Sequence, residues 1–355
     1  GTKARMITIM SIKKIIRRCM PQDIGIDLGT KNTVVFSNRD GILLSAPSMV
    51  AFDEKTKEIL AIGQDAYEMI GRTPSHIVAM RPMKDGVIAD FTVAQKMIQL
   101  FIQKVNESTQ WRRPKVLIGV PWGITDVERR AGIEAATRSG ARETLLIDEP
   151  VAAAIGAGIP IKEPKGAMVV DIGGGTTEVG VLSLSGVVHC RSIRMAGDKC
   201  DESIIAHCRK QYNLLVGERM AEQIKMDIGS AYPLYQEKKI NIKGRDLVSG
   251  LPKTVSITSE EIREVLGEVI SMIIETIRLT LEITPPELSA DIAKSGITLT
   301  GGGALLSGLD RRIYEETHIV VHRADDPLNC VARGTGKLLE DPELLKALTQ
   351  RSVYK

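Results

Sequence analysis

Residues 23–36 read D-I-G-I-D-L-G-T-K-N-T-V-V-F, and residues 168–181 read M-V-V-D-I-G-G-G-T-T-E-V-G-V. Each stretch runs from an apolar segment to an aspartate, through a Gly-Thr turn, and into a second alternating segment. Alternating apolar residues on both sides of such a turn predict a β-hairpin. Asp27 and Asp171 mark the two turns, about half the chain apart, so the pattern is a long-period internal duplication and not a solenoid repeat.

The turns carry the chemistry. In the first, Gly29 and Thr30 follow Asp27; in the second, Gly173, Gly174, Gly175 and Thr176 follow Asp171. Glycine lacks a Cβ, so the backbone can approach a ligand closely and aim N–H groups at phosphate oxygens. Threonine hydroxyls add donors. A carboxylate beside each turn can hold Mg²⁺ through water, because Mg²⁺ keeps several of its waters. A single hairpin of this kind also suits an ordinary tight turn. Two matched copies, with Thr300-Gly301-Gly302-Gly303-Ala304 after a third apolar strand, point to one shared phosphate site. The sequence contains no G-x-x-x-x-G-K-[ST], which excludes a P-loop, and no G-x-G-x-x-G follows the first strand, which disfavours a dinucleotide site.

Outward from the hairpins the pattern alternates. Apolar spacing predicts helices over 92–105 (capped by Asp90 or Thr92), 126–139, 150–158, 203–212 and 259–282, the last ended by Pro285 and Pro286. Strands are expected over 115–120, 145–147 and 296–300. The 355 residues are 43% hydrophobic and only 3% aromatic, long enough for two cores and suited to parallel sheets covered by helices. An α/β fold is therefore expected in both halves.

The five cysteines are odd in number and form no C-x-x-C, which argues for reduced thiols over disulfides or a zinc cluster. His318 and His322 flank an apolar stretch without nearby acids and read as surface residues. The net charge of +3 is local: residues 1–20 hold six basic residues and no acid, leaving 41 basic against 44 acidic residues elsewhere. That argues against general nucleic-acid binding and for a local anionic partner. No apolar run reaches the ~18 residues that span a bilayer, and Lys13, Lys14, Arg17 and Arg18 interrupt any secretory signal. A cytoplasmic chain is expected.

D-I-G-I-D-L-G-T-K-N-T, V-V-D-I-G-G-G-T-T-E and L-T-G-G-G-A-L-L resemble the two phosphate loops and the adenosine loop of the actin, Hsp70 and sugar-kinase superfamily. Within it, R-P-M-K-D-G-V-I-A-D-F (81–91), V-P-W-G-I-T-D-V-E-R-R-A (120–131), D-E-P-V-A-A-A-I-G-A-G (148–158), G-E-R-M-A-E-Q-I-K (217–225) and T-P-P-E-L (284–288) resemble the MreB family of bacterial actins, over roughly residues 21–345. The resemblance implies an actin-like fold: two lobes with duplicated ribonuclease H-like domains around a nucleotide cleft. Lobe I would span 21–162 and 334–355 with a small insert at 51–83, and lobe II 163–333 with an insert at 200–263.

It also implies roles. Asp27 and Asp171 would face Mg²⁺. Thr30, Lys31, Asn32 and Gly173 to Thr177 would hold the phosphates of ATP. Glu149, with Thr176 or Thr177, would position the attacking water. Glu218, Glu222 and Lys225 would contact ribose and adenine, closed from the other side by Gly301, Gly302, Gly303 and Ala304. Other readings stand beside these: Glu149 as a helix N-terminal charge, and Glu222 with Lys225 as an ion pair at i, i+3. Lys31 and Trp122 occupy positions where the family usually has smaller residues, and Lys31 either adds a phosphate contact or points to solvent.

Residues 9–20 read I-M-S-I-K-K-I-I-R-R-C-M. On a helix Ile9, Ile12 and Ile16 share a face, with Lys13, Lys14, Arg17 and Arg18 away from it, the pattern of a helix lying in a membrane interface. Each basic residue near an anionic leaflet contributes ~1 kcal/mol and each buried Ile ~1.5–3 kcal/mol. A disordered basic extension is the plainer alternative. Trp111, between basic neighbours, suits a membrane interface or a buried site against the sheet. The resemblance implies a filament subunit with slow Mg²⁺-dependent ATP hydrolysis, assembling as antiparallel double protofilaments on the inner face of the cytoplasmic membrane. There it would work with membrane-bound morphogenetic and cell-wall synthesis proteins. An Hsp70-like or sugar-kinase-like ATPase acting without polymerisation is the alternative.

Overall fold

The computed structural model describes residues 23–106 and 113–351. The membrane expectations for Ile9, Ile12, Lys13, Lys14, Ile16, Arg17, Arg18 and Trp111 lie outside the described residues. Among the described residues no helix is long and apolar enough to cross a membrane.

The first sheet contains β1 (Ile24–Leu28), β2 (Asn32–Ser37), β3 (Gly41–Pro47), β4 (Lys115–Val120) and β5 (Glu143–Asp148), in the order β3-β2-β1-β4-β5. The second contains β6 (Ala167–Ile172), β7 (Thr177–Ser183), β8 (Gly186–Ile193), β9 (Ile297–Thr300) and β10 (Val321–Arg323), in the order β8-β7-β6-β9-β10. In each sheet the first strand pairs antiparallel with the second and parallel with the fourth, and the fourth pairs parallel with the fifth. The duplication read from the two hairpins thus extends to whole sheets. Both predicted hairpins form, with Asp27 opposite Val34 and Asp171 opposite Glu178.

Helices cover the sheets. α1 (Phe91–Asn106) buries Met97, Ile98, Phe101 and Ile102 against the first sheet, and Asp90 accepts from Val93 N at 3.0 Å at its start. α2 (Asp126–Arg138) begins with a capping box in which Thr125 and Glu128 satisfy each other's backbone N–H groups. α3 (Glu149–Gly156) is buried almost throughout, as its apolar sequence predicts. α4 (Gly197–Tyr212) starts six residues earlier than its apolar spacing suggests, because charged Asp198, Lys199 and Glu202 mask a first turn that buries Cys200. α5 (Glu218–Ile228) and the 24-residue α6 (Ser259–Glu282) complete the second core. Pro286 does not merely stop α6; it opens the next helix at a first-turn position, where its missing N–H has no consequence.

Small sheets extend each half. Val50–Asp53, Ile59–Ile62 and Ile77–Met80 form one; Leu214–Leu215, Lys239–Asp246 and Pro252–Thr258 form the other. A joint core links the two large sheets: Leu117 and Ile147 from the first, Val169 and Leu182 from the second, α3, and α7 (Cys330–Leu339). A Cβ at Gly156 would overlap the Cys330 carbonyl, and one at Gly334 would overlap the Ala152 carbonyl. The two helices therefore cross backbone to backbone. The expected lobe boundary at 334 falls inside this continuous helix.

Candidate functional site

The two Asp-Gly turns meet. A Cβ at Gly175 would stand 2.5 Å from Thr30 Oγ1 and 2.9 Å from Gly86 N, and one at Gly174 would stand 2.5 Å from Lys31 Cγ. Glycine at both positions lets the second turn pass close under the first. Thr30 Oγ1 accepts from Gly86 N at 3.1 Å, pinning the 85–86 turn over both. The second turn is braced from behind: Gly173 N donates to Thr176 O at 2.9 Å, and the start of α4 donates to the carbonyls of Gly173 (from Gly197 N, 3.1 Å) and Gly174 (from Asp198 N, 2.7 Å). The third turn presses on the same strand end, with Thr300 Oγ1 donating to Asp171 Oδ1 at 2.9 Å; Gly301 is in a left-handed conformation, and Gly302, Gly303 and Ala304 follow in a short 3₁₀ turn.

Four carboxylates converge below the turns. Burial first, and then the negative charge of Asp171, raise the Asp27 pKa to about 8. Burial raises Asp171 to about 6 against the opposing hydrogen bond from Thr300. Glu149, at the first turn of α3, is pushed well above the carboxylate range by burial and then by Glu178, Asp27, Asp171 and Asp148. Burial is the largest cause throughout, and neighbouring carboxylates add to it at Asp27, Glu149 and Glu178.

Glu178 is the residue that sequence reasoning missed. It is buried on β7, and burial raises its pKa to about 8. Its Oε1 accepts from Trp122 N of the first half at 2.7 Å and from Ser192 Oγ at 3.3 Å, while Oε2 is buried with no hydrogen-bond partner among the described residues. The available signal was a glutamate in the otherwise apolar T-E-V-G-V-L-S strand. Trp122 contributes its backbone N–H to this bond.

The remaining predicted side chains stand in varied surroundings. Thr177 Oγ1 is buried and donates to the Met195 carbonyl at 2.7 Å, which ties β7 to the loop before α4. Asn32 is exposed at the start of β2. The Lys31 ammonium turns to acidic partners, bonding Asp201 and, at 2.9 Å, Glu222. Glu222 and Lys225 are not paired with each other; Glu222 also accepts from Tyr67 OH at 2.9 Å, and Lys225 meets Asp201 at 2.8 Å and the Gly197 carbonyl at 3.0 Å. Glu218 pairs with Arg81 at 3.0 Å. His318 closes a helix in a left-handed conformation and His322 is exposed, and among the described residues no three His, Cys, Asp or Glu side chains converge to ligate a metal directly.

The paired sheets and the cleft where their turns meet define an actin-like protein. The MreB/Mbl protein family model matches residues 21–347, and the chain belongs to that family. It is 52% identical over 332 residues to the cell shape-determining protein MreB of Escherichia coli K12, covering 92% of this chain and 96% of the relative. It is 48% identical to the cell shape-determining protein Mbl of Bacillus subtilis, covering 91% and 97%. Its structure is similar to MreB5 of Spiroplasma citri bound to ADP, with a TM-score of 0.87, 38% identity, and coverage of 92% of this chain and 98% of that one.

Proposed function

We propose that this chain is an ATP-switched filament subunit that polymerises on the cytoplasmic face of the cell membrane and helps determine cell shape. The observation that carries the reading is the meeting of the two Asp-Gly turns over a buried carboxylate cluster. The cluster suits a divalent cation: its carboxyls are buried together, neighbouring carboxylates add to the raised pKa of Asp27, Glu149 and Glu178, and Glu178 Oε2 is buried without a partner among the described residues. Since no three ligating side chains converge there, a magnesium ion would keep most of its waters and reach Asp27 and Asp171 through them. When bound, Mg²⁺ would neutralise phosphate charge and draw electron density from the terminal phosphoryl group.

The chain's own groups do the rest. Gly29, Thr30, Asn32 and the turn Gly173–Thr176 hold the phosphates. Glu149, at the start of α3, orients the attacking water as its general base. Glu218, Glu222 and Lys225 take the nucleoside end, with Gly301 to Ala304 opposite. The ADP in the Spiroplasma relative supports a nucleotide in this cleft. Lobe I takes residues 21–162 and 334–355, with a small insert at 51–83; lobe II takes residues 163–333, with an insert at 200–263. Nucleotide sets the angle between lobes and so whether subunits fit head to tail. Antiparallel pairing of filaments would turn all the 1–20 tails to one membrane, where many weak anchors act together and recruit cell-wall synthesis proteins.

Sedimentation tests this reading. The purified chain should pellet with ATP·Mg²⁺ and anionic vesicles, and electron microscopy should show paired filaments on an anionic monolayer. Nucleotide turnover without any polymer, in solution or on lipid, would instead favour a superfamily ATPase that works unpolymerised.

A further inference from the structure

We infer that Lys31 is a clasp across the cleft, a positioning residue that holds the lobes together and fixes the carboxylate expected at the ribose. Lys31 stands in the turn between β1 and β2, on the first sheet; its partners stand on α4 and α5, beyond the second sheet. Its ammonium bonds Asp201, lies 2.9 Å from Glu222 and 3.5 Å from Asp198. The side chain is 11% exposed and that of Asp201 7%, well below the exposure at which ion pairs contribute little. Burial alone would push the ammonium pKa down, but Asp201 and then Glu222 outweigh it and hold the group above the ordinary lysine range.

The stem explains the reach. Lys31 Cβ, Cγ and Cδ cross the space where a side chain at Gly174 would sit, so the alkyl chain runs over the second turn and delivers the charge to the far wall. There Asp201 is shared: Lys31 lies on one oxygen and Lys225 on the other. Among the described residues other contacts also span this gap: Tyr67 to Glu222, Arg81 to Glu218, and the Arg219 guanidinium over the Tyr67 ring at 5.0 Å. Lys31 is more buried than Arg81 and touches both α4 and α5. Removing its charge leaves Asp198, Asp201 and Glu222 facing Lys225 alone in this group.

The inference rests on the nucleotide-cleft reading for its effect on ligand, and the test separates the two. Hydrogen exchange on the nucleotide-free full chain needs no ligand. Lys31→Met, which keeps a stem over Gly174, should speed exchange at the β1–β2 turn and at the start of α4, while Lys31→Arg should leave both slow. Fluorescent ADP should then leave Lys31→Met roughly tenfold faster or more than the parent, as when one partner of a buried charge pair is truncated. Lys31→Met and Asp201→Asn should be non-additive in the double variant. Failure of the parent chain to bind fluorescent ADP would count against the nucleotide reading and leave the exchange result to decide the clasp. Unchanged exchange in Lys31→Met, or additive effects with Asp201→Asn, would overturn the clasp.

Discussion

Glu178 and Glu149 share a buried pocket but differ in what their carboxyls meet. Glu178 accepts a backbone N–H from Trp122 through one oxygen and leaves the other bare. Its folded pKa, about 8 against an ordinary 4.5, means that the folded chain keeps a proton that the unfolded chain has released. Between those values Glu178 destabilises the fold increasingly as pH rises, and the penalty is complete above about 8. Glu178→Gln should therefore stabilise the nucleotide-free chain more at pH 8.5 than at pH 5. The difference should be at least the roughly 1.4 kcal/mol that one pKa unit represents. Urea denaturation at the two pH values reads it; equal shifts would mean that Glu178 is ionised throughout. Glu149→Ala addresses the proposed chemistry: phosphate release should fall about 10²-fold or more with nucleotide still bound, as for loss of a general base. Release at the parent rate would move the role elsewhere in the cluster.

At the scale of elements, the crossing of α3 and α7 carries the most consequence. Gly156 and Gly334 let two backbones touch, and the same helix lies on β1, where a Cβ at Gly25 would overlap Thr335. An added methyl has carbonyl groups and not flexible side chains to displace. Gly334→Ala should cost about 1–3 kcal/mol, as overpacking of a dense interior does, seen as a lower denaturant midpoint. By contrast Thr125→Ala removes only a cap and should cost ~1 kcal/mol. If the two variants lost equal stability, the helix crossing would be looser than its geometry indicates. Helix starts were less legible than helix bodies. The capping box of α2 is readable because Thr125 and Glu128 are three residues apart. The start of α4 is not, since the carbonyls its first N–H groups meet belong to the second Asp-Gly turn.

For the whole molecule, the predictions concern attachment and assembly. A chain beginning at Pro21 should still pellet with ATP·Mg²⁺ but should no longer co-sediment with anionic vesicles. Binding of the full chain should weaken as salt rises, because the basic tail acts through screened charge. Retained vesicle binding by the shortened chain would place the membrane contact on another surface. The repeated strand order explains why the two Asp-Gly turns meet: two copies of one sheet bring their equivalent turns together.

The duplicated Asp-Gly hairpins, the α/β alternation and the long helices were determined by sequence alone. Alternation and helical spacing act between neighbours, and the turns demand glycine locally. The same local signals identified Asp27, Asp171 and Glu149. What Lys31 bonds was decided only by tertiary structure, because Asp201 lies 170 positions away and the choice among phosphate, solvent and acid depends on which wall stands opposite. The same holds for Thr177, turned to the Met195 carbonyl, for Glu222 and Lys225, drawn to separate partners, and for Glu178, whose isolation exists only once the two sheets close around it. A side chain's residue type states what it can bond; only the fold brings the partner.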